Sequence, residues 1–282
     1  MKAFERVENE ENLMKQIQEE SQKDDIWIFD CDGTLINSDI SVFTGWSIIR
    51  NGLCNPDTIP EPWIHSKKYI NMPFDEFEAM RDHIIERHGV MASYEWEIKL
   101  QSGLSPKMVI DISLGILEEC LKDGKIRYTR HVAKMAKSMA AQAWVVSGSS
   151  HPTVSAITSK LNIPPERVLA TCLETVDGIY QNNFREPGVV WEEKKQTVLE
   201  QNGIHKPYFV AGDTIGDWWM MKMSQRWKWC VLWDDYRHRG LEWRSFLQSN
   251  VFKDIVMPQD PGFYQIDFEE RKWVVEIKGD FT

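Results

Sequence analysis

Two aspartates stand two positions apart in the segment DCDGT (residues 30–34), at the end of an apolar run. At this spacing both carboxylates can point into one site while Cys31 turns away. Gly33 permits a tight backbone path, and Thr34 offers a hydroxyl group. Two aspartates in a solvated turn are the structural alternative, and three further segments argue against it.

Serine and glycine follow a second apolar run, in the segment SGSS (147–150) ahead of Pro152. Hydroxyl groups and free amides at the N-terminus of a helix suit an anion such as phosphate, which makes Ser147 and Gly148 candidate ligands. Serines in this position are more often simple N-caps, so the segment gains weight only together with the others.

Two lysines, Lys194 and Lys195, occupy the first turn of the helix expected after Trp191. A lysine there is unfavourable, because the N-terminal end of a helix carries partial positive charge. It is therefore either solvated or paired with an anion.

The segment GDTIGD (212–217) places two more carboxylates, Asp213 and Asp217, at the end of an apolar run. Oxygen ligands gathered in this way suit a hard divalent cation such as Mg²⁺. The sequence therefore predicts a Mg²⁺ site at this strand end.

Short apolar runs alternate with helical patterns along much of the chain. We predict strands over 26–30, 143–146, 208–211, 229–233 and 273–277, and helices over 153–161 and 192–201. This alternation predicts an α/β fold in which crossover helices connect the strands of a parallel sheet. The chemical segments then fall at strand ends, where open α/β sheets place their ligands.

A long insertion separates the first two predicted strands. Residues 41–124 show 3.6-residue periodicity and are predicted to form a mainly helical cap domain, leaving 1–40 and 125–282 as the core domain. Asp177-Gly178 lies between β-forming residues and predicts a hairpin. The N-terminus predicts an amphipathic helix with one apolar face, formed by Phe4, Val7, Leu13, Met14 and Ile17. No chemical motif is found after Val251.

Composition argues against several classes of partner. The chain has 282 residues with 33 Lys+Arg against 43 Asp+Glu, and its net charge of -10 would repel a nucleic-acid backbone. No apolar run reaches membrane-spanning length, and the N-terminus does not read as a secretory signal. Five scattered cysteines without CxxC spacing favour reduced thiols. We expect a cytoplasmic protein that binds neither nucleic acid nor membrane, and leave signal-less export and oligomeric state open.

Taken in order, the four segments resemble the motifs of the haloacid dehalogenase superfamily of phosphohydrolases. The match consists of DxDGT, a strand-end serine, a helix-borne lysine and GDxxxD, within residues 26–233. The helical insertion is similar to the cap type shared by phosphoserine and phosphocholine phosphatases. The resemblance implies a doubly wound, Rossmann-like parallel sheet with an inserted helical cap. It also implies Mg²⁺-dependent hydrolysis of a small-molecule phosphate ester.

The resemblance gives each aspartate a role. Asp30 would be the nucleophile that forms an aspartyl-phosphate, and Asp32 would be the general acid and base. Mg²⁺ would be held by the carboxylates of Asp30 and Asp213 and by the main-chain carbonyl of Asp32. Asp217 would orient a metal-bound water or the lysine. Asp32 favours phosphomonoester hydrolysis, because dehalogenating members of the superfamily lack this aspartate and transport ATPases carry threonine there.

The resemblance also assigns the contacts to the phosphoryl group. The Ser147 hydroxyl and the Gly148 amide would hold that group, and Lys195 would neutralise its charge. We prefer Lys195 to Lys194 because apolar residues follow Lys195 at i+3 and i+4, as in the family. His151 receives no catalytic role, because Asp32 already supplies the acid and the base.

The substrate is predicted from Asp39. In the phosphoserine-phosphatase branch an acidic residue nine positions after the nucleophile meets the substrate's ammonium group, and here that residue is Asp39. The alternative is that Asp39 caps a helix. Trp46, Trp63 and Trp96, from a set of 13 tryptophans, could add a cation–π surface. The prediction is an ester of a cationic alcohol: phosphocholine, phosphoethanolamine or, less attractively because no arginine for its carboxylate is evident, phosphoserine.

Two other functions stay open at this point. A phosphoprotein or phosphotyrosine phosphatase would need a cap that moves aside, because a roofed site excludes bulky substrates. A non-catalytic binding protein could use the same scaffold, with its aromatic-rich surface as the working part.

Overall fold

A computed structural model describes residues 2–61, 63–66, 69–233, 239–268 and 271–278 of the chain. Strands and helices alternate through much of it. The strands are β1 (Glu5–Arg6), β2 (Trp27–Phe29), β3 (Ala143–Ser150), β4 (Val168–Thr171), β5 (Leu173–Val176), β6 (Ile179–Phe184), β7 (Phe209–Gly212), β8 (Trp227–Trp233), β9 (Gly262–Phe268) and β10 (Arg271–Lys278).

The helices fall into an N-terminal helix, an insertion between β2 and β3, and a set that connects the later strands. They are α1 (Glu10–Glu20), α2 (Ile40–Arg50), α3 (Trp63–Ser66), α4 (Phe74–His88), α5 (Val90–Lys99), α6 (Pro106–Lys122), α7 (Val132–Ser138), α8 (His151–Ser159), α9 (Glu193–Gln201), α10 (Trp218–Met221) and α11 (Arg239–Phe246). We call α2–α6 the helical insert. No helix in the described ranges combines the length and apolar character needed to cross a membrane.

Eight strands form one sheet in the order β1-β9-β10-β8-β7-β2-β3-β4. The run from β10 to β4 is parallel throughout, whereas β9 and β1 are antiparallel to their neighbours. Phe29 of β2 lies level with Val145 of β3 and Ala211 of β7. The loops after these three strands therefore open at the same edge of the sheet.

The central strands are buried on both faces, which explains their continuous apolar runs. Alternate residues serve opposite faces: Trp27 and Phe209 stack on one face at 4.6 Å between ring centroids, whereas Ile28 and Val210 belong to the cluster on the other. Helices pack against both clusters, so the predicted doubly wound α/β sheet is confirmed. Tryptophan is abundant partly because it fills this interior, where four are fully buried: Trp27, Trp227, Trp229 and Trp243.

Three local predictions can be compared with the structure. The Asp177-Gly178 hairpin forms between β5 and β6, with both turn residues at positive φ. The strand predicted over 273–277 is β10, which lies between β8 and β9 in the main sheet. The N-terminal helix is shorter than predicted, because Asn9 caps its start by accepting the Asn12 N–H.

Phe4 and Val7 therefore lie outside the N-terminal helix, and the prediction that they share its apolar face is wrong. Glu5–Arg6 between them forms a short strand paired with β9, while Leu13, Met14 and Ile17 are the buried helical positions. Pairing with the edge of a sheet overrides the helical periodicity of these few residues.

The helical insert occupies most of the stretch predicted to be helical. Its first helix, α2, is buried along almost its whole length, from Ile40 to Ile49. It packs against α5 and α6 and also contacts β3 and α8, so it joins the insert to the sheet. The division into a core over 1–40 and 125–282 and a cap over 41–124 stays a prediction.

Candidate active site

The loop after β2 is shaped to admit a carboxylate from the loop after β7. Gly33 has φ +84°, and a Cβ atom there would lie 2.0–2.9 Å from the side-chain atoms of Asp213. The Thr34 hydroxyl donates a 3.0 Å hydrogen bond to Oδ1 of Asp213. The glycine of DCDGT is therefore required both by its backbone conformation and by the approach of Asp213.

Three buried aspartates meet beneath these loops. Asp30, Asp213 and Asp217 each offer a carboxylate oxygen, and these atoms lie within 4.8 Å of one another. Lys195 joins them: its Nζ is 2.5 Å from Oδ1 of Asp30 and 2.6 Å from Oδ1 of Asp217. Lys194 is exposed, so Lys195 is the lysine that lies in the site.

Charge in this cluster is unbalanced. Burial and the neighbouring Asp217 carboxylate raise the pKa of Asp30 to about 7, although Lys195 opposes the shift. Burial, Asp30 and Asp217 likewise raise the pKa of Asp213. Burial alone would lower the pKa of Lys195, but the two aspartates raise it, so the ammonium stays charged. Three carboxylate groups beside one ammonium group form a site where a further cation would offset the excess negative charge.

Asp217 organises its own loop. Its Oδ2 accepts hydrogen bonds from the main-chain N–H groups of Asp213 (3.0 Å) and Thr214 (2.9 Å) and from the Thr214 hydroxyl (3.1 Å). Its Oδ1 receives Lys195. With both oxygens engaged by the protein, Asp217 is placed to orient the lysine and to hold Asp213.

Asp32 faces the end of β3. Its Oδ1 accepts the Ile40 N–H at 2.9 Å, and its Oδ2 accepts the hydroxyls of Ser149 at 2.7 Å and Ser147 at 3.3 Å. Burial, Asp39 and Asp30 raise its pKa, which favours a protonated carboxyl group able to act as an acid. Sequence reasoning did not single out Ser149. Because β3 continues to Ser150, alternate residues share a side, and Ser149 could have been paired with Ser147 on that ground.

One cavity, with about 460 Å³ of empty space, brings most of the predicted residues together. Asp213 and Asp217 are not among its lining residues. The predicted residues that line it are Asp30, Asp32, Asp39, Ser147, Gly148 and Lys195.

Asp39 both lines the cavity and caps a helix. Its Oδ1 accepts the N–H groups of Ser41 at 3.0 Å and Val42 at 3.4 Å, at the start of α2. The capping role that the sequence left open is therefore present. Contact with an ammonium group stays a prediction.

The prediction that Trp46, Trp63 and Trp96 form an aromatic surface at the site is wrong, because none of the three lines the cavity. The Trp46 indole donates to the Met72 carbonyl and stacks with Arg50, and the Trp96 indole donates to the Thr58 carbonyl. Trp63 contacts His83 instead. These side chains fill gaps between helices of the insert, since a large amphipathic ring suits such positions. The aromatic residues that line the cavity are Tyr94 and Trp191, which no sequence signal distinguished.

His151 contributes to neither the acid nor the base. Its Nε2 lies 3.1 Å from the Pro165 carbonyl and its Nδ1 3.4 Å from the Ser155 hydroxyl. Burial lowers its pKa, so the ring is held neutral. It lines two neighbouring grooves and is not among the residues that line the cavity with Asp30 and Asp32.

No protein-family model and no curated protein matches this sequence. Solved structures do match. A conserved protein of unknown function from Anaerococcus prevotii DSM 20548 has a TM-score of 0.65 at 14% identity, covering 98% of this chain and 97% of that one. A protein of unknown function from Bordetella pertussis Tohama I has a TM-score of 0.56 at 14% identity, covering 79% and 94%.

A third match has a stated activity. Cytosolic 5′-nucleotidase IIIB bound to cytidine has a TM-score of 0.51 at 15% identity, covering 95% of this chain and 84% of that one. The chain shares its fold with a 5′-nucleotidase. At this level of identity the likeness establishes the fold, and the chemistry has to be argued from the site.

Proposed function

We propose that the protein is a phosphomonoesterase of the haloacid dehalogenase type, dependent on Mg²⁺ and acting through an aspartyl-phosphate. The observation that carries the proposal is the bridge from Lys195 to Asp30 and Asp217, which lies beside Asp213. Asp30 and Lys195 line one cavity together with Asp32. Likeness in fold to a 5′-nucleotidase supports hydrolysis of a phosphate ester.

In the first step, a carboxylate oxygen of Asp30 attacks phosphorus, and the bond from phosphorus to the alcohol oxygen breaks. Asp32 delivers its proton to that oxygen, so the alcohol leaves neutral. In the second step, water attacks the same phosphorus and gives a proton to Asp32, and the bond from phosphorus to the Asp30 oxygen breaks. Inorganic phosphate leaves, and Asp30 and Asp32 return to their starting states.

The chain's other groups hold the phosphoryl oxygens. Ser147 and Gly148 line the cavity at the end of β3, where a hydroxyl and a main-chain amide can bind an anion. Lys195 offsets the charge of Asp30 and of the incoming phosphoryl group. Asp217 keeps Lys195 in place through the 2.6 Å contact.

The residues present fit a divalent cation. Buried carboxylates outnumber the single ammonium, and their oxygens are ligands that Mg²⁺ prefers. Asp30, Asp213 and the main-chain carbonyl of Asp32 would hold it, and Asp217 would orient its surroundings. When bound, Mg²⁺ supplies positive charge that lets a phosphate approach the Asp30 carboxylate.

The substrate is proposed to be a small ester, with phosphocholine, phosphoethanolamine and phosphoserine as the first candidates. Acidic Asp39 lines the cavity, which supports a cationic alcohol. Glu97 also lines it but is paired with Arg81. Helix α5 of the insert supplies Tyr94, Glu97 and Ile98 to the lining, as a cap would. A site roofed in this way also disfavours a phosphoprotein substrate.

Hydrolysis of para-nitrophenyl phosphate tests the proposed activity. We expect turnover with Mg²⁺, loss of turnover with a chelator, and a loss of about 10⁴-fold in kcat for Asp30→Asn. Asp111→Asn, on an exposed face of α6, is the matched control and should keep full activity. Undiminished turnover in Asp30→Asn, or no hydrolysis of any phosphate ester, would overturn the proposal.

A further inference from the structure

Tyr94 and Trp191 form a wall along the cavity. Their ring centroids are 5.5 Å apart with an interplanar angle of 43°, and both side chains line the cavity and are half-buried. Tyr94 comes from α5 of the insert, and Trp191 lies just before α9, which carries Lys195. The wall thus joins the insert to the catalytic loops.

The Trp191 ring packs against two glycines. A Cβ atom on Gly216 would lie 2.8–3.0 Å from its ring carbons, and a Cβ on Gly148 would lie 3.6 Å away. The Lys195 ammonium is 5.9 Å from the ring centre. The indole therefore lies between Gly148, Lys195 and Gly216, beside the residues that we propose to hold the phosphoryl group.

The insert also offers hydrogen-bonding groups. Ser41, only 4% exposed, lines the cavity, and its hydroxyl has no hydrogen-bond partner among the residues that the structure describes. A buried hydroxyl of this kind is stabilised when a ligand supplies the partner. Glu97 lines the same cavity and is buried in an ion pair with Arg81.

A substrate carboxylate would find no available cation. Of the cavity-lining residues within the described part of the chain, only Lys195 is cationic, and it lies between Asp30 and Asp217. The Arg81 guanidinium is engaged by Glu97.

From these observations we propose that Tyr94, Trp191 and Ser41 determine the substrate selectivity of this site. The wall favours a short alcohol over a bulky one, and Ser41 favours one bearing a hydroxyl or ammonium group. Bulky alcohols collide with the wall, and alcohols bearing a carboxylate are rejected because they meet no cation. This selectivity rests on the proposed phosphatase function and sets phosphoserine below phosphoethanolamine.

Four phosphate esters whose alcohols differ in size and charge measure the selectivity: phosphoethanolamine, glycerol phosphate, phosphoserine and 2-phenylethyl phosphate. We expect wild-type kcat/KM to be highest for the first two. In Trp191→Leu and in Tyr94→Ala, the ratio of kcat/KM for 2-phenylethyl phosphate to that for glycerol phosphate should rise about tenfold, because one bulky contact is relieved. Trp219→Leu, a half-buried tryptophan outside the lining, should leave the ratio unchanged.

Ser41→Ala tests the proposed role of the Ser41 hydroxyl. We expect a loss of about tenfold in kcat/KM for phosphoethanolamine and glycerol phosphate, and a smaller loss for para-nitrophenyl phosphate, whose alcohol carries neither a hydroxyl nor an ammonium group for Ser41 to bind. Measuring both wall variants keeps the test decisive if one of them does not fold. Hydrolysis with unchanged ratios in the folded variants, or a wild-type preference for phosphoserine, overturns the selectivity proposal alone. If the protein hydrolyses none of these four esters and does not hydrolyse para-nitrophenyl phosphate, the proposed function is overturned as well.

Discussion

The two sides of the cavity are built differently. On the sheet side, Asp30, Asp32 and Ser147 come from strands or the loops that follow them, and Lys195 comes from α9. Lys195 donates to Asp30 at 2.5 Å, and Ser147 donates to Asp32 at 3.3 Å. The insert side consists of side chains from α2 and α5, among them Ser41 and Tyr94. It meets the sheet side through the Tyr94–Trp191 pair and through the Ile40 N–H on Asp32. Under the proposed function, the reaction belongs to the sheet side and the choice of substrate to the insert side.

The largest expected effect is on the sheet side. In Lys195→Met, the bridge between Asp30 and Asp217 is lost, and we expect kcat to fall about 10³-fold, because a charge that offsets the phosphoryl group is removed. Lys194→Met, one position away and exposed, is the matched control. Steady-state kinetics on para-nitrophenyl phosphate measure kcat for both variants. An equal loss of kcat in the two variants would contradict the assignment of Lys195, and not Lys194, to the site.

Gly33→Ala should be the next most harmful change. Its Cβ would collide with the Asp213 carboxylate, so we expect Mg²⁺ affinity or activity to fall about 100-fold. Gly178→Ala, in the hairpin turn, has a similar φ of +78° but no atom within 4 Å of the added Cβ. It should cost about 1 kcal/mol of stability and leave activity intact. Metal titration of both variants separates close approach from backbone strain, and similar Mg²⁺ affinities would contradict the close-approach explanation.

A pH dependence of stability follows from Asp30. Its folded pKa of about 7 lies above the ordinary value of 3.8, so between these two values the folded state keeps a proton that the unfolded state loses. The stability from this group is complete below about pH 4 and is lost as pH rises through about 7. Denaturant unfolding in a chelator should show this decline, and the decline should be shallower in Asp30→Asn, where Asp32 and Asp213 still have raised pKa values. An identical pH profile in both proteins would contradict the assignment.

The smallest expected effect concerns Asp39. Asp39→Ala removes the cap of α2 and should cost about 1 kcal/mol of unfolding free energy. Ser105→Ala removes the cap of α6, outside the cavity, and should cost a similar amount. Only Asp39→Ala should lower kcat/KM for phosphocholine more than for glycerol phosphate. An equal effect on both esters would leave Asp39 as a helix cap and nothing more.

Much of the sheet side could be predicted from the sequence, because each loop is a contiguous segment and parallel strands bring their carboxyl ends to one edge. Asp30, Asp32 and Asp213 were placed in this way, and Lys195 was preferred to Lys194 on the family resemblance. The structure brings these four residues together. The order of the strands was less accessible: β10 inserts between β8 and β9, which no local pattern indicates.

The insert side could not be predicted, because its contacts join residues that are distant in sequence and ordinary in type. Tyr94 and Trp191 meet across 97 positions, and Arg81 finds Glu97 on a neighbouring helix. The tryptophans that composition made conspicuous, such as Trp46 and Trp96, fill gaps within the insert instead. Helical periodicity identifies a buried face but not which neighbour covers it.

The central claim is that Asp30 becomes phosphorylated during turnover. Asp32→Asn removes the acid of the first step and the base of the second. Incubation with para-nitrophenyl phosphate, whose nitrophenolate leaves without a proton, and Mg²⁺ should therefore trap the intermediate. Mass spectrometry of the peptides is predicted to locate one added phosphoryl group on Asp30. Release of inorganic phosphate by the wild-type enzyme with the adduct on another residue of the variant would contradict the account.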